Sequence, residues 1–133
     1  MNKNDFVKEA IKITKKNGME WTKVEKRNLR HVIDRTLSDG FVAEAYYNQK
    51  KDTINIVIIG RVVVNRYIDA DTSFPEDFYF ITFSDNEYED KVTYFESDEG
   101  VDGLDFAVNL SRLLRLAQLS YNNIDEKITG WFD

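Results

Sequence analysis

The chain has 133 residues, the size of one small domain, so residues 1–133 are expected to close round a single hydrophobic core. At 42% hydrophobic and 14% aromatic residues it is too apolar for a disordered protein, and one proline with six glycines leaves no room for a long flexible linker. The absence of cysteine excludes a disulfide framework and a thiolate metal site, which fits a reducing cytoplasm.

The first segment, "MNKNDFVKEAIKITKKNG", alternates charge with apolar residues and lacks the apolar core of a signal peptide. Residues 5–17 read as a helix. Phe6, Val7, Ala10, Ile13 and Thr14 share one arc at about 100° per residue, with Asn4 as N-cap and Asn17-Gly18 as the stop. "TKVE", residues 22–25, then matches a capping box, and a second helix is expected over 23–38. Leu29, Val32, Ile33 and Leu37 would face inward there and Lys23, Arg27 and Arg30 outward, with Asp39-Gly40 ending it.

From Phe41 the pattern becomes that of strands. "FVAEAYYN" and "TINIVIIGRVVVNRYI" form a hairpin across "QKKD", with Gly60 at a bulge or a close approach. "FYFITFS" and "KVTYFES" form a second hairpin across "DNEYED". Residues 104–123 read as a long helix whose core face is Phe106, Ala107, Leu110, Leu113, Leu114, Ala117 and Tyr121. The expected fold is α+β: a four-stranded antiparallel sheet of two hairpins, with two N-terminal helices and one long C-terminal helix packed on one face. The longest apolar run, "IVIIGRVVV", falls far short of the roughly 20 residues a membrane helix needs. No membrane association is expected.

Catalytic signatures do not emerge. His31 is the sole histidine and sits among Arg27, Arg30 and Arg35, so it reads as a surface residue rather than a metal ligand or general base. The sequence holds no phosphate-binding glycine loop, no G-x-S-x-G and no H-E-x-x-H. Glu87/Glu89 or Asp98/Asp102 would need one partner in a dry pocket to work as an acid/base pair, and they lie in polar stretches. Asp69, Asp71 and Ser73 imitate the front of an EF-hand loop. Phe74 then replaces its glycine and Phe80 its bidentate glutamate, so 69–77 reads as an exposed loop between strands. No cofactor and no metal are implied. Lys23, Lys26, Arg27, Arg30 and Arg35 beside Trp21 could follow a phosphate backbone, but Glu25, Asp34 and Asp39 dilute them. An exposed helix face paired with the protein's own acidic strands is the better reading, and direct nucleic-acid binding is not expected.

Charge is distributed unevenly. Residues 1–51 carry 12 bases against 7 acids, whereas 69–105 carry 13 acids and a single base, Lys91, within a net charge of −6. Asp85, Glu87, Glu89 and Asp90 crowd the expected tip of the second hairpin, and Glu96, Asp98 and Glu99 follow its last strand. One reading is a solvated hairpin whose charge discourages edge-to-edge aggregation. The other is a docking face in which carboxylates speed association and exposed Tyr88 supplies the anchor. Leu104, Val108, Arg112, Arg115 and Leu119 lie opposite the core face of the last helix, an alternative interface unless the tail "ITGWFD" folds over them.

The leading expectation is a small, acidic, non-catalytic binding protein. It would act as an inhibitor or immunity-type antagonist of the kind found in bacteria and phages, docking on a basic or nucleic-acid-binding protein partner, in the latter case by mimicry of phosphates. The alternatives are a homo-oligomeric module, such as a homodimer, using the last helix, and a carboxylate- or calcium-dependent enzyme.

Overall fold

The structure, a computed structural model, describes residues 1–98, 103–122 and 131. It is an α+β fold with one antiparallel sheet of five strands, not four, in the sequential order of a meander. The elements are α1 (Lys3–Lys15), β1 (Thr22–Lys23), a 3-10 helix (Lys26–His31), β2 (Gly40–Gln49), β3 (Asn55–Asp69), β4 (Thr72–Asp85), β5 (Val92–Phe95) and α2 (Gly103–Asn122).

The first helix starts earlier than its sequence suggests. Asn2, not Asn4, caps it, its side chain accepting the Asp5 N–H at 2.8 Å. Asn4 is thereby released to donate to Asp105 at 3.0 Å and to accept from Asn109 at 3.2 Å, tying α1 to α2. The stop is as expected, with Asn17 left-handed (φ 59) and Gly18 N–H returning to the Ile13 carbonyl. Val7, Ala10, Ile11 and Thr14 form the buried stripe, while Ile13 rotates outward. Trp21 is buried behind them, its indole N–H donating to Thr14 Oγ1 at 3.1 Å, so the ring is covered without orphaning its one polar atom.

The expected second N-terminal helix does not form. Thr22 and Lys23 pair with Tyr47 and Tyr46 as an extra edge strand, and Val24 N–H donates to the Ala45 carbonyl. Beyond the 3-10 turn the chain is held by side chains rather than by helical hydrogen bonds. Asp34 accepts the Thr93 N–H at 2.8 Å, and its own N–H donates to Thr93 Oγ1 at 3.0 Å. The segment can thereby lay Val24, Val32 and Ile33 flat on the sheet, a spread that one narrow helical stripe would not cover.

The sheet is consequently buried on both faces. On one, α1 and α2 cover Val57, Ile59 and Ile81 through Val7, Ala10, Leu110, Leu113 and Leu114. On the other, residues 24–37 cover Val42, Ile58, Val62, Phe80 and Phe95. Burial on both sides is why "IVIIGRVVV" is apolar almost without alternation. Each fully buried aliphatic or aromatic side chain contributes about 1.5–3 kcal/mol. Gly60, between Ala45 and Phe80, is a close approach. A Cβ there would lie 2.5 Å from the Phe80 ring and 2.6 Å from the Glu44 carbonyl oxygen. The bulge is on β2, between Val42 and Glu44. No helix among the described residues is long and apolar enough to cross a membrane.

Candidate docking surface

β3 and β4 form one long hairpin, and the acidic residues singled out in the sequence gather at the β4–β5 end of it. Asp85 closes β4 and organises the turn that follows. Its carboxylate accepts the backbone N–H groups of Glu87 (2.9 Å), Glu89 (3.1 Å) and Asp90 (3.1 Å). The Glu89 N–H above all holds the Asp85 carboxyl below its ordinary value. Asp85 is therefore a structural member of the turn. Glu87, Glu89 and Asp90 are exposed, and among the described residues none of the three forms an ion pair.

Tyr88 is not the exposed anchor expected of it. Its backbone is left-handed (φ 61), and its ring packs half-buried against the apolar cluster under residues 24–37. Burial pushes its phenol up, with Tyr47 and Glu25 adding to the effect. The ring gains more by joining the core edge than by standing in water beside three carboxylates.

The remaining acidic residues are turned toward the chain itself. Glu96 accepts the Tyr79 N–H at 3.3 Å, and partial burial raises its carboxyl. Asp98 accepts the Phe95 N–H at 3.0 Å and lies 3.6 Å from Arg35. Glu99 and Asp102 lie outside the described residues. Lys91, the lone base of the acidic stretch, donates to the His31 carbonyl at 2.7 Å. Of the basic residues 23–35, Arg35 meets the acidic stretch through Asp98 and Arg27 pairs with Glu25, while Lys23, Lys26 and Arg30 form no ion pair among the described residues. Exposed His31 accepts from Arg30 Nε at 3.1 Å.

The opposite end of the hairpin holds residues that the sequence did not single out as a site. Residues 69–77 are not a loop. Ala70 and Asp71 form a two-residue turn, Asp69 accepts the Asp71 N–H at 2.9 Å, and Ser73 lies opposite Tyr67. β2 starts at Gly40 opposite Val64, and β5 ends at Phe95 opposite Phe80. Residues 65–69 and 72–75 therefore project beyond β2 and β5 as a two-stranded ribbon, tied back at its base by the Asn65 N–H, which donates to the Asp39 carbonyl. Tyr67 (62% exposed), Ile68 (71%) and Phe74 (47%) stand on it in water. Tyr67 donates its hydroxyl to Asp39, while Pro75, Glu76 and Asp77 blunt the strand edge. The signal was the alternation through "TSFPEDFYF", which Pro75 obscured.

The outer stripe of α2 divides. Leu104 is 79% exposed and Val108 39%, with Arg112 and Arg115 exposed beyond them. Leu119 is half-buried, Leu116 packs on the core, and Gln118 donates to Glu44. Trp131 is itself exposed. Among the described residues, no three His, Cys, Asp or Glu side chains are gathered as a metal site requires. No protein-family model matches the chain, and neither a curated protein nor a solved structure resembles it significantly.

Proposed function

We propose that the chain is a non-catalytic binding protein that docks on a basic partner through the acidic turn 85–90. What supports this reading is the state of Glu87, Glu89 and Asp90. They are exposed and form no ion pair among the described residues, on a turn that three hydrogen bonds to Asp85 keep from rearranging. Three carboxylates held at fixed spacing offer preorganised charge, which steers a basic surface and selects against an acidic one. Carboxylates so spaced can occupy a groove made for phosphates. The partner is thus proposed to be a nucleic-acid-binding protein, and the role that of an inhibitor or immunity-type antagonist in the cytoplasm. Glu96 and Asp98 belong to the same acidic side but support it from within, through Tyr79, Phe95 and Arg35.

The test is capture of partners from host lysate, washed in parallel at about 0.1 M and 0.5 M salt, where screening lengths fall from about 10 Å to well below it. A basic protein held at low salt and weakened at high salt is the expected result. The triple variant Glu87→Lys, Glu89→Lys, Asp90→Lys should lose it while keeping its circular dichroism spectrum; unchanged capture sinks the proposal.

A second reading rests on Leu104 and Val108, which are exposed at the start of α2. A homodimer through that end would dissociate on Leu104→Glu with Val108→Glu. A mass by light scattering that does not change on substitution would dispose of it.

A further inference from the structure

We propose that the cleft between the 3-10 segment and the start of β2 binds a small organic anion with an apolar body. The cleft has a volume of about 490 Å³, within the range of sites that hold small molecules. Leu29, Ile33 and Phe41 provide an apolar floor and wall, and Lys26, Arg30 and Arg35 supply its charge; no carboxylate lines it. In a chain of net charge −6 this is a local reversal of sign.

The three cations are not equivalent. Arg35 is already held by Asp34, Asp98 and the Thr93 carbonyl, and its guanidinium stacks 4.7 Å over Phe95, so it forms a wall. Lys26 and Arg30 have no ion pair among the described residues. Arg30 spends only its Nε, on His31, which leaves its terminal N–H groups to a ligand. Phe41 is 62% exposed beside these cations, a large apolar surface that an incoming acyl or aromatic body would cover. Charge and shape together specify a carboxylate, sulfonate or phosphate on a body of decanoate or naphthalene size. The second cleft, about 350 Å³ between α1 and the β2–β3 end, has Glu9 and Lys50 on its lining and therefore no net sign to select a ligand class.

The test uses the whole chain and the fluorescent probe 8-anilinonaphthalene-1-sulfonate, with decanoate and decyltrimethylammonium as competitors. Expected are saturable 1:1 fluorescence and displacement by decanoate below its micellar concentration. Decyltrimethylammonium at the same concentrations should displace nothing. Lys26→Glu with Arg30→Glu should weaken the probe at least about tenfold, whereas Lys26→Arg with Arg30→Lys should retain it. Both positions are exposed; should the charge-reversed pair misfold, Lys26→Gln with Arg30→Gln replaces it. Ile13→Glu, which blocks the second cleft, should leave binding intact. Equal displacement by the cation, indifference to the Lys26 and Arg30 changes, or loss in Ile13→Glu would each overturn the proposal.

Discussion

The two ends of the β3–β4 hairpin, roughly 45 Å apart along the strands at about 3.3 Å per residue, spend their aromatic residues in opposite ways. At the β4–β5 end Tyr88 turns inward onto the core edge, and Glu87, Glu89 and Asp90 face the solvent with Asn86 and Val92. At the β3–β4 turn no element among the described residues covers the ribbon, and Tyr67, Ile68 and Phe74 stay outside with Asp69 and Asp71. Both turns use an aspartate to collect backbone N–H groups: Asp85 takes three and Asp69 takes that of Asp71. The difference lies in the neighbours. Residues 24–37 run alongside one end and supply apolar surface for a ring to join, whereas the ribbon outruns every other element. Acidic composition therefore does not decide what a hairpin end presents; coverage does.

Breaking the stretch that joins the two ends should have the largest effect. Gly60→Ala places a Cβ against the Phe80 ring and the Glu44 carbonyl, and such overpacking costs about 1–3 kcal/mol. Urea denaturation should record that loss, with amide exchange rising along both strands. The contrast itself is sharpened by a pair of substitutions. Tyr88→Ala should cost about 1 kcal/mol, near half the value for full burial of a large side chain, while Tyr67→Ala should leave the urea midpoint within error. Equal effects would erase the distinction between the two ends. The smallest effect is in pH. The Asp85 carboxyl is held low by the Glu89, Asp90 and Glu87 N–H groups, so its contribution is fully present above the unfolded value of about 3.9 and is lost as pH falls through the lower folded value. Amide exchange at Glu87, Glu89 and Asp90, taken relative to the intrinsic rate at each pH, should accelerate over that acidic window. In Asp85→Ala it should already be fast at neutral pH.

By itself the sequence determined the helix near the N-terminus, the long helix from 104, the β2–β3 and β4–β5 pairings and the concentration of charge, because each rests on local periodicity or composition, whereas the β3–β4 hairpin was hidden behind an expected loop over 69–77. Gly60 was legible as either a bulge or a close approach, and only the packing of Phe80 and the Glu44 carbonyl against it decided for the latter. Only the tertiary structure decided the fate of residues 23–38. A capping box and an apolar stripe favoured a helix, but an open sheet face bounded by Thr93 and Ala45 offered both burial and hydrogen bonds to an extended chain. The same contacts determined the candidate site. They drew Arg35, Glu96 and Asp98 into internal bonds, folded Tyr88 inward, left Glu87, Glu89 and Asp90 outside, and formed the cationic cleft at the start of β2. A side chain's charge can be read from its codon, but whether that charge is already spent depends on which residues distant in the chain come within about 3 Å of it.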